Sequence, residues 1–275
     1  MKLRIVFSIA LLVCPAALVA QLSVPKVGVA RYADHTVRGV NGLEANLLVN
    51  SQSLLNADAV SFSDAGGLIS TPGRIQLLTT QGSVAGEFNS SEPSPVLNID
   101  GALTTAIAWL PSHRSLVYWN GNAFLETEVN GAEIPGEVTS VQAVTPSLAR
   151  LLANDARGNV FQASVSLQTG SVISLALLPG IQGPAFQQYG FILSQGSNGL
   201  EIQAPNGPVR TLPLNAPRIT FERMSSEWVH ISSPATHQDW ALHLTSKALQ
   251  LSILPMPETS LPGGSQLRHD QEVAK

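Results

Sequence analysis

Cysteine is almost absent from this sequence, and its scarcity excludes several kinds of chemistry. The one cysteine, Cys14, lies close to the N-terminus. A chain that has lost this residue through N-terminal processing contains no thiol for a disulfide, a nucleophile or a thiolate metal site. A large exported protein without disulfides is more typical of a bacterium than of a eukaryotic secretory pathway.

Charged residues are also scarce, at 12% of the chain, and acidic residues outnumber basic ones by 19 to 15. This mildly acidic balance, which becomes more negative if Lys2 and Arg4 are removed, argues against nucleic acids and anionic membranes as partners. The 22 glycines and 18 prolines favour many short strands and turns over long surface helices.

The first twenty residues have the layout of a secretory signal peptide. Lys2 and Arg4 precede the apolar segment 5–13, Pro15 follows, and Ala20 offers a small residue at the cleavage position before Gln21. The apolar segment is too short to span a bilayer, and no other segment approaches that length. We therefore predict a signal peptide at 1–20, a mature domain at 21–257 and an exported protein, periplasmic or extracellular. The polar tail 258–275 is predicted to be disordered.

One pattern recurs along the chain: an alternating apolar run, a tight turn and a second apolar run. The five occurrences are VSFSDAGGLIST from Val60, IAWLPSHRSLVYW from Ile107, VQAVTPSLARLLA from Val141, AFQQYGFILS from Ala185 and ITFERMSSEWVHIS from Ile219. Their starts are 47, 34, 44 and 34 residues apart. Alternation of this kind is typical of half-buried strands, so each unit is predicted to open with a hairpin.

Further strands follow within a unit. After the hairpin that starts at Val141, Asp155–Gly158 is predicted to turn into a strand through Val160, and VISLALL to form the fourth strand. Four antiparallel strands in about 40 residues match one blade of a β-propeller. The segment Gly42–Leu55 is the nearest candidate for a helix, but its Asn and Ser content favours strand and loop.

The pieces SFSDAGG, WLPSHR and VTPSLAR resemble the first hairpin of WD-repeat-like and YVTN-type bacterial β-propellers, and DARGNVFQA resembles a turn of an NHL-type blade. The resemblance covers about Val60 to Pro255 and implies an all-β propeller. Five units plus the strands KVGVARYA and HTVRGV near the N-terminus predict about six four-stranded blades, within a range of five to seven. Propellers serve as enzymes, receptors and scaffolds alike, so the resemblance implies no particular activity.

The segment HQDWALH contains the most suggestive cluster of metal-ligand residue types. On one strand His237, Asp239 and His243 would share a face, and two histidines with a carboxylate can bind zinc or iron. Alternate strand residues lie about 6.6–7 Å apart, however, which is awkward for ligation of one ion. The favoured interpretation is a turn that holds His237 and Asp239, then a strand with Trp240, Leu242 and Leu244 inward and His243 outward. On that interpretation no metal, cofactor or catalytic residue is assigned.

Other residues are interpreted structurally. Asp58, Asp64, Asp100 and Asp155 lie in turn-like contexts and are expected to cap turns. The aromatic residues in or beside the repeated strands are expected to pack between blades; they are Phe62, Trp109, Phe161, Phe186 and Phe221. Trp119 is the best candidate for an exposed aromatic, although packing is favoured for it as well. Because Phe62, Trp109 and Phe221 each stand third in their unit, they are predicted to be equivalent.

Two functions fit these observations. The favoured one is an exported, non-catalytic interaction or scaffold module whose protein or small-molecule ligand the sequence does not identify. The alternative is a propeller hydrolase or lyase with a metal or polar site in the central channel, whose ligands would be scattered over several blades.

Overall fold

The computed structural model describes residues 24–130, 133–205, 207–245 and 249–256. Within these ranges the chain forms β-strands and, at Leu103–Thr105, a 3-10 turn. The predicted all-β class is confirmed. The predictions made for the signal peptide at 1–20 and for the tail at 258–275 lie outside the described residues.

The strands form six antiparallel sheets in chain order. The first contains β1 (Lys26–Arg31), β2 (Thr36–Leu43), β3 (Asn46–Val49) and β4 (Leu55–Asn56). The second contains β5 (Ala59–Ser63), β6 (Gly66–Thr71), β7 (Arg74–Thr79) and β8 (Val84–Asn89). The third contains β9 (Val96–Asn98), β10 (Ile107–Leu110), β11 (Ser115–Trp119) and β12 (Phe124–Glu128).

The second half of the chain continues in the same way. The fourth sheet contains β13 (Glu137–Thr145), β14 (Leu148–Asn154), β15 (Asn159–Ser166) and β16 (Val172–Gln182). The fifth contains β17 (Ala185–Gln188), β18 (Phe191–Gly196), β19 (Gly199–Gln203) and β20 (Val209–Leu212). The sixth contains β21 (Thr220–Arg223), β22 (Trp228–Ser233), β23 (Gln238–Leu244) and β24 (Leu249–Ile253).

The hydrophobic core is divided into clusters that each lie between two consecutive sheets. Leu68 of the second sheet packs with Val117 of the third, for example, and Leu152 of the fourth packs with Ala185 of the fifth. The same kind of cluster joins the sixth sheet to the first, through Ala241 and Val40. Six sheets that pack face to face in a closed ring form a six-bladed β-propeller, which confirms the predicted blade number.

The first strands of the second to sixth sheets lie innermost, and neighbouring ones contact each other around the axis. Buried hydroxyls join them: Ser61 accepts a hydrogen bond from the Ile99 backbone N–H at 3.1 Å, and Ser140 accepts one from Gln187 at 3.1 Å. These small polar side chains satisfy backbone groups that have no strand partner at the centre of the ring. Ser61 and Ser140 are therefore part of the packing between blades.

The first blade departs from this plan. Both β3 and β4 pair with β2 at successive positions, so the four strands fill only three places in the sheet. β1 also runs antiparallel to β21 of the sixth blade. From Val29 to Arg31 along β1, the partners move backwards in the chain, from Met224 to Glu222. β1 therefore corresponds to the second strand of a complete blade and not to its innermost strand. Among the described residues nothing fills the innermost place of this blade, and β5 and β21 contact each other there.

One repeat assignment was wrong. The units from Val60, Val141, Ala185 and Ile219 start at the innermost strands, but the unit from Ile107 starts at β10, the second strand of its blade. The innermost strand of that blade, β9, has only three residues, too few to show alternation, and the loop 99–106 separates it from β10. Trp109 is consequently not equivalent to Phe62 and Phe221. It is nevertheless buried, with 4% exposure, between the third and fourth blades.

Two local predictions are confirmed. The segment Gly42–Leu55 contains the end of β2, the strand β3 and a loop instead of a helix. The turn at Asp155–Gly158 is present and leads into β15, whose partner β16 contains VISLALL.

Candidate binding face

The connections from first to second strand in the second to sixth blades gather at one end of the ring. They are the segments 64–65, 99–106, 146–147, 189–190 and 224–227. We call this end the turn face. Residues of three of these connections, Asp64, Tyr189 and Ser226, line a single cavity, which shows that the blades present them together.

The central channel is crossed at the turn face by an ion pair. Arg223 of the sixth blade donates from Nη1 to Oδ1 of Asp100 of the third blade at 2.8 Å. Gln142 donates from Nε2 to the other carboxylate oxygen at 3.2 Å, and the Tyr189 ring lies 5.6 Å from the guanidinium carbon. The Arg223 side chain is completely buried, and an unpaired charge there would be costly, so Asp100 stabilises it directly.

Several buried polar atoms near the channel have no protein partner among the described residues. They are Nε and Nη2 of Arg223, both amide atoms of Asn98 and Oε1 of Gln188. Buried polar groups in proteins normally have a partner, which is often an ordered water molecule. The centre of the ring therefore offers hydrogen-bonding capacity to small polar molecules.

The larger cavity of the turn face, which we call the groove, has a volume of about 740 Å³. It lies where the first blade lacks an innermost strand, and its walls include Val27, Leu54, Phe62, Met224 and Trp228. The groove therefore combines apolar walls with a gap in the ring of inner strands.

The loop 224–227 forms hydrogen bonds with the edge of β1 that has no strand partner among the described residues. The Val29 N–H donates to the Met224 carbonyl at 3.1 Å, and the Ser225 hydroxyl donates to the Val27 carbonyl at 2.8 Å. Glycine at position 28 permits this approach, because a Cβ atom there would lie 2.5 Å from the Met224 carbonyl oxygen. The groove wall is thus built from a backbone contact that a side chain at Gly28 would disrupt.

The smaller cavity, which we call the cleft, has a volume of about 480 Å³ and lies between the third, fourth and fifth blades. Its walls are more polar than those of the groove and include Asp100, Thr105, Gln142, Arg150, Gln187 and Tyr189. Arg150 is half-buried, and its Nε is buried without a partner among the described residues. Tyr189 borders both cavities and so separates the cleft from the groove.

The structure does not bring the HQDWALH residues together. His237 lies in a turn at φ of 53°, whereas Asp239 lies within β23 and accepts a hydrogen bond from His230 Nε2 at 2.9 Å. His243 stacks on Trp228 at 4.4 Å and contacts Glu44 and Glu227. The placement of Asp239 in the turn was therefore wrong.

The predicted faces of this strand also need correction. Trp240, Leu242 and Leu244 are buried as expected, but Asp239 and Ala241 on the other face are buried too. Both faces of β23 are covered because the strand lies in the interior of its sheet, with the fifth blade on one side and the first on the other. The His243 side chain is only 17% exposed, so it does not simply point into solvent.

A polar cluster lies where the sixth blade meets the first. Arg31 donates to Glu222 at 2.8 Å, and His230 lies between Asp239 at 2.9 Å and Glu222 at 3.6 Å. Burial works to lower the pKa of His230, but the two carboxylates outweigh it and the pKa is raised. Burial works to raise the pKa of Glu222, but His230 and Arg31 outweigh it and the pKa is lowered. The cluster therefore favours a charged imidazolium between charged carboxylates.

Among the acidic residues assigned to turns, Asp155 behaves as predicted. It accepts hydrogen bonds from the backbone N–H groups of Arg157 and Asn159 at 2.8 and 2.9 Å. Asp100 does more than cap its turn, because it pairs with Arg223, which lies 123 residues away in the chain. No local pattern connects these two residues, and the sequence interpretation missed them.

The predicted packing of Trp119 is confirmed. Its side chain is 8% exposed and meets Phe124 edge to face, with the ring centroids 5.1 Å apart. A Cβ atom at Gly86 would lie 2.3 Å from the Trp119 ring, so the indole packs directly on the backbone of the neighbouring blade. Phe186 and Phe221 instead stack face to face between the fifth and sixth blades, with the ring centroids 5.8 Å apart.

Two searches of the described residues gave negative results. No three side chains of His, Cys, Asp or Glu in the described ranges lie close enough together to hold a metal ion. None of the helical elements in these ranges has the length and apolar character needed to cross a membrane.

No protein-family model and no curated protein matches the chain. Solved structures with a similar arrangement include hydrazine synthase of Kuenenia stuttgartiensis, at 11% identity, with 76% of this chain and 71% of that chain covered and a TM-score of 0.42. Apo AztD from Citrobacter koseri has 13% identity, coverage of 84% and 71% and a TM-score of 0.39. BBS1N in complex with ARL6DN has 13% identity, coverage of 87% and 84% and a TM-score of 0.43.

At such identities these similarities carry no information about function. The class of protein is therefore defined by the structure itself, a six-bladed β-propeller. Membership of the WD-repeat-like or YVTN-type group stays a prediction.

Proposed function

We propose that the mature chain is an exported, non-catalytic β-propeller that binds a partner at its turn face. The observation that carries this proposal is the groove of about 740 Å³ at the incomplete first blade. Binding pockets for ligands are concave, mostly apolar and about 300–1,000 Å³ in volume, with a few polar groups that fix orientation. The groove meets each of these conditions.

The walls of the groove favour a partner that presents an extended apolar segment. Leu54 supplies an exposed apolar side chain and Phe62 a half-buried one, while Lys26, Asp64 and Glu227 supply charges. The groove lies where the innermost place of the first blade is not filled among the described residues, between β1, β5 and the loop 224–227. A peptide strand or an extended small molecule fits such a shape.

The proposed export rests on the first twenty residues. Lys2 and Arg4, the apolar segment 5–13 and Ala20 together form a signal-peptide pattern. N-terminal sequencing of the protein from its native host tests this part. A first residue near Gln21 supports export, and intact Met1 in the cytosol would refute it.

Photocross-linking in the native host tests the binding face. Thr80 lines the groove and is exposed, and Thr169 is an equally exposed threonine in a turn of the fourth blade, distant in the fold from the groove. We expect a photoreactive amino acid at position 80 to give a discrete adduct, and the same amino acid at position 169 to give none. Equal adducts from both positions, or none from position 80, would contradict the proposal.

A second pair of variants tests whether the adduct depends on the groove wall. Leu54 lines the groove and is 59% exposed, and Leu177 on the outer strand β16 is 52% exposed. Leu54→Asp is expected to abolish the adduct because it places a charge on an apolar wall. Leu177→Asp makes the same chemical change elsewhere and is expected to leave the adduct intact.

The alternative function, a propeller hydrolase or lyase, is favoured by one observation. The Asp100–Arg223 pair and the unpartnered polar atoms around it make the channel polar. Both oxygens of Asp100 already accept hydrogen bonds, from Arg223 and Gln142, so this carboxylate is engaged by the protein's own side chains. A stoichiometric, tightly held metal ion in the purified protein would reverse the order of the two functions.

A further inference from the structure

We infer that the cleft binds a carboxylate, through the guanidinium group of Arg150. This inference concerns a second site and does not rest on the groove or on the function proposed for it. It starts from the charges at the cleft: Arg150 lines it, Arg223 lies directly behind Asp100, and Asp100 is the one acidic residue of the lining. The cleft thus has two guanidinium groups in or behind its lining and one carboxylate, which leaves an excess of positive charge in an acidic protein.

Arg150 differs from the other arginines of known environment. Arg31, Arg74 and Arg223 each pair with a carboxylate, and Arg210 is exposed to water. The buried Arg38 has no carboxylate but donates to Thr36 and to the carbonyls of Asn50 and Ser51. Arg150 is half-buried and, among the described residues, has neither an ion-pair nor a hydrogen-bond partner, and its Nε is buried. A half-buried guanidinium without an anion is costly, so the site is suited to accept one.

The fold holds Arg150 on rigid elements. It lies in the middle of β14, opposite Gln142 on one side and Ser164 on the other, within the fourth blade. The next blade contributes Gln187 of β17 to the lining of the same cleft. The backbone of Gln187 is itself fixed by its bond to Ser140 at 3.1 Å.

Charge favours a carboxylate over the more negative phosphate, because Arg150 is the one guanidinium group of the cleft lining and Asp100 already places a negative charge there. The planar fork of arginine matches the two oxygens of a carboxylate in a bidentate pair. At the same cleft Asp100 already pairs with a guanidinium group, through a single hydrogen bond from Arg223. The cleft volume of about 480 Å³ leaves room for a small organic acid or for the C-terminal residue of a peptide.

Titration calorimetry on the mature protein tests the inference at constant ionic strength. The probes are sodium succinate, tetra-alanine with a free C-terminus, tetra-alanine with an amidated C-terminus, and inorganic phosphate. We expect succinate or free tetra-alanine to bind, and whichever binds more tightly identifies the source of the carboxylate. Three results would overturn the inference. They are tighter binding of phosphate than of any carboxylate, no binding of any probe, and equal binding of amidated and free tetra-alanine when succinate does not bind.

Three variants locate the site. Arg150→Met keeps the length of the side chain but removes its charge and donors, and is expected to weaken carboxylate binding at least tenfold. Arg150→Lys keeps the charge but loses the fork, and is expected to weaken it several-fold. Arg210→Met removes the same charge from an exposed position of β20 and is expected to change nothing. An equal loss in Arg150→Met and Arg210→Met would show a nonspecific charge effect and contradict the assignment.

Folding is checked separately, since a buried substitution can act through stability. Far-ultraviolet circular dichroism and the thermal midpoint of Arg150→Met should match those of the parent. Carboxylate-dependent shifts of the Arg150 Nε–H resonance give a direct readout in the unmodified protein. A site that is merely structural would leave this resonance unchanged.

Discussion

The seam between the third and fourth blades and the seam between the sixth and first blades solve the same packing problem with different chemistry. The core of the first is apolar and contains Trp109, Leu116 and Leu151, with polar contacts such as Gln142 to Asp100 beside it. The second has an apolar part as well, but it also buries Glu222, His230 and Asp239 beside Arg31. The chain closes its ring at this second seam, where residues from near the two ends of the described chain meet.

Because of this difference, the stability of the two seams should depend on pH to different degrees. Apolar packing is nearly independent of pH, whereas a cluster of charged groups is stable only while each group keeps the right protonation state. The closing seam should therefore respond to pH and to the loss of one charged partner. The apolar seam should respond only to loss of volume.

The largest expected effect is at the apolar seam. Trp109→Ala removes a side chain that is 4% exposed and leaves a cavity between two blades. We expect the free energy of unfolding to fall by about 3–5 kcal/mol, by a similar amount at every pH from 5 to 9. Denaturant melts measure this loss, with Trp109→Phe as the control that keeps part of the volume. A loss that varied with pH would contradict the apolar character of this seam.

The next effect is at the closing seam. His230→Ala leaves the carboxylates of Glu222 and Asp239 without the imidazolium that lies between them, although Arg31 continues to pair with Glu222. We expect a loss of about 2–3 kcal/mol at pH 6. The same melts measure it, and His113→Ala, a change at an exposed turn, is the matched control. A loss below that of the control would mean that the cluster does not stabilise the seam.

The pH dependence follows from the direction of the two pKa shifts. The pKa of His230 is raised above 6.5, so its contribution is complete below pH 6.5 and is lost as the pH rises through the raised value. The pKa of Glu222 is lowered below 4.5, so its contribution is complete above pH 4.5 and is lost as the pH falls through the lowered value. This pair therefore contributes most between pH 4.5 and 6.5.

We expect the free energy of unfolding to fall as the pH rises through the raised pKa of His230, because the folded protein then loses a stabilising proton. Denaturant unfolding measured at a series of pH values tests this expectation. The titratable and charged groups of the cluster around His230 are Asp239, Glu222, Arg31 and Tyr32. The loss should be absent in His230→Gln and preserved in Trp109→Phe. An unchanged slope in His230→Gln would assign the pH dependence to other groups.

The smallest expected effect is at His243, on the rim of the closing seam. From the sequence alone, His243→Ala should change stability by less than about 1 kcal/mol, because the side chain was placed in solvent. Its stacking on Trp228 and its contacts with Glu44 and Glu227 raise this expectation to about 1 kcal/mol. His243→Gln should retain part of it. A loss greater than that of His230→Ala would place the critical histidine at the rim instead of the interior.

The sequence predicts the blades well because each blade is local. Alternating runs such as VSFS and QASVS indicate strands with one buried face, and glycine-containing turns indicate the hairpins between them. Strand content and blade number can therefore be predicted from residues that are close together in the sequence. The short strand β9 gave no such pattern, which is why the unit at Ile107 was aligned with the wrong strands of the other blades.

The candidate sites were not predictable for the opposite reason. Asp100 and Arg223 meet across the ring, and Arg150 meets Gln187 only because two blades pack together. The incomplete first blade, which creates the groove, depends on how β3 and β4 share the edge of β2. Such relations arise from closure of the ring, and no short-range pattern records them.

Hydrogen exchange resolved by residue tests the contrast between the two seams most directly. The measurement compares backbone amides of β1 and β22 with those of β14, at pH 6 and pH 8.5, after correction for the intrinsic exchange rate. We expect protection to fall more in β1 and β22 than in β14 at the higher pH, because the closing seam opens locally once His230 loses its charge, whereas β14 exchanges only through unfolding of the whole ring. An equal fall in all three strands, or no fall in β1, would contradict a ring that is closed by a pH-sensitive polar seam.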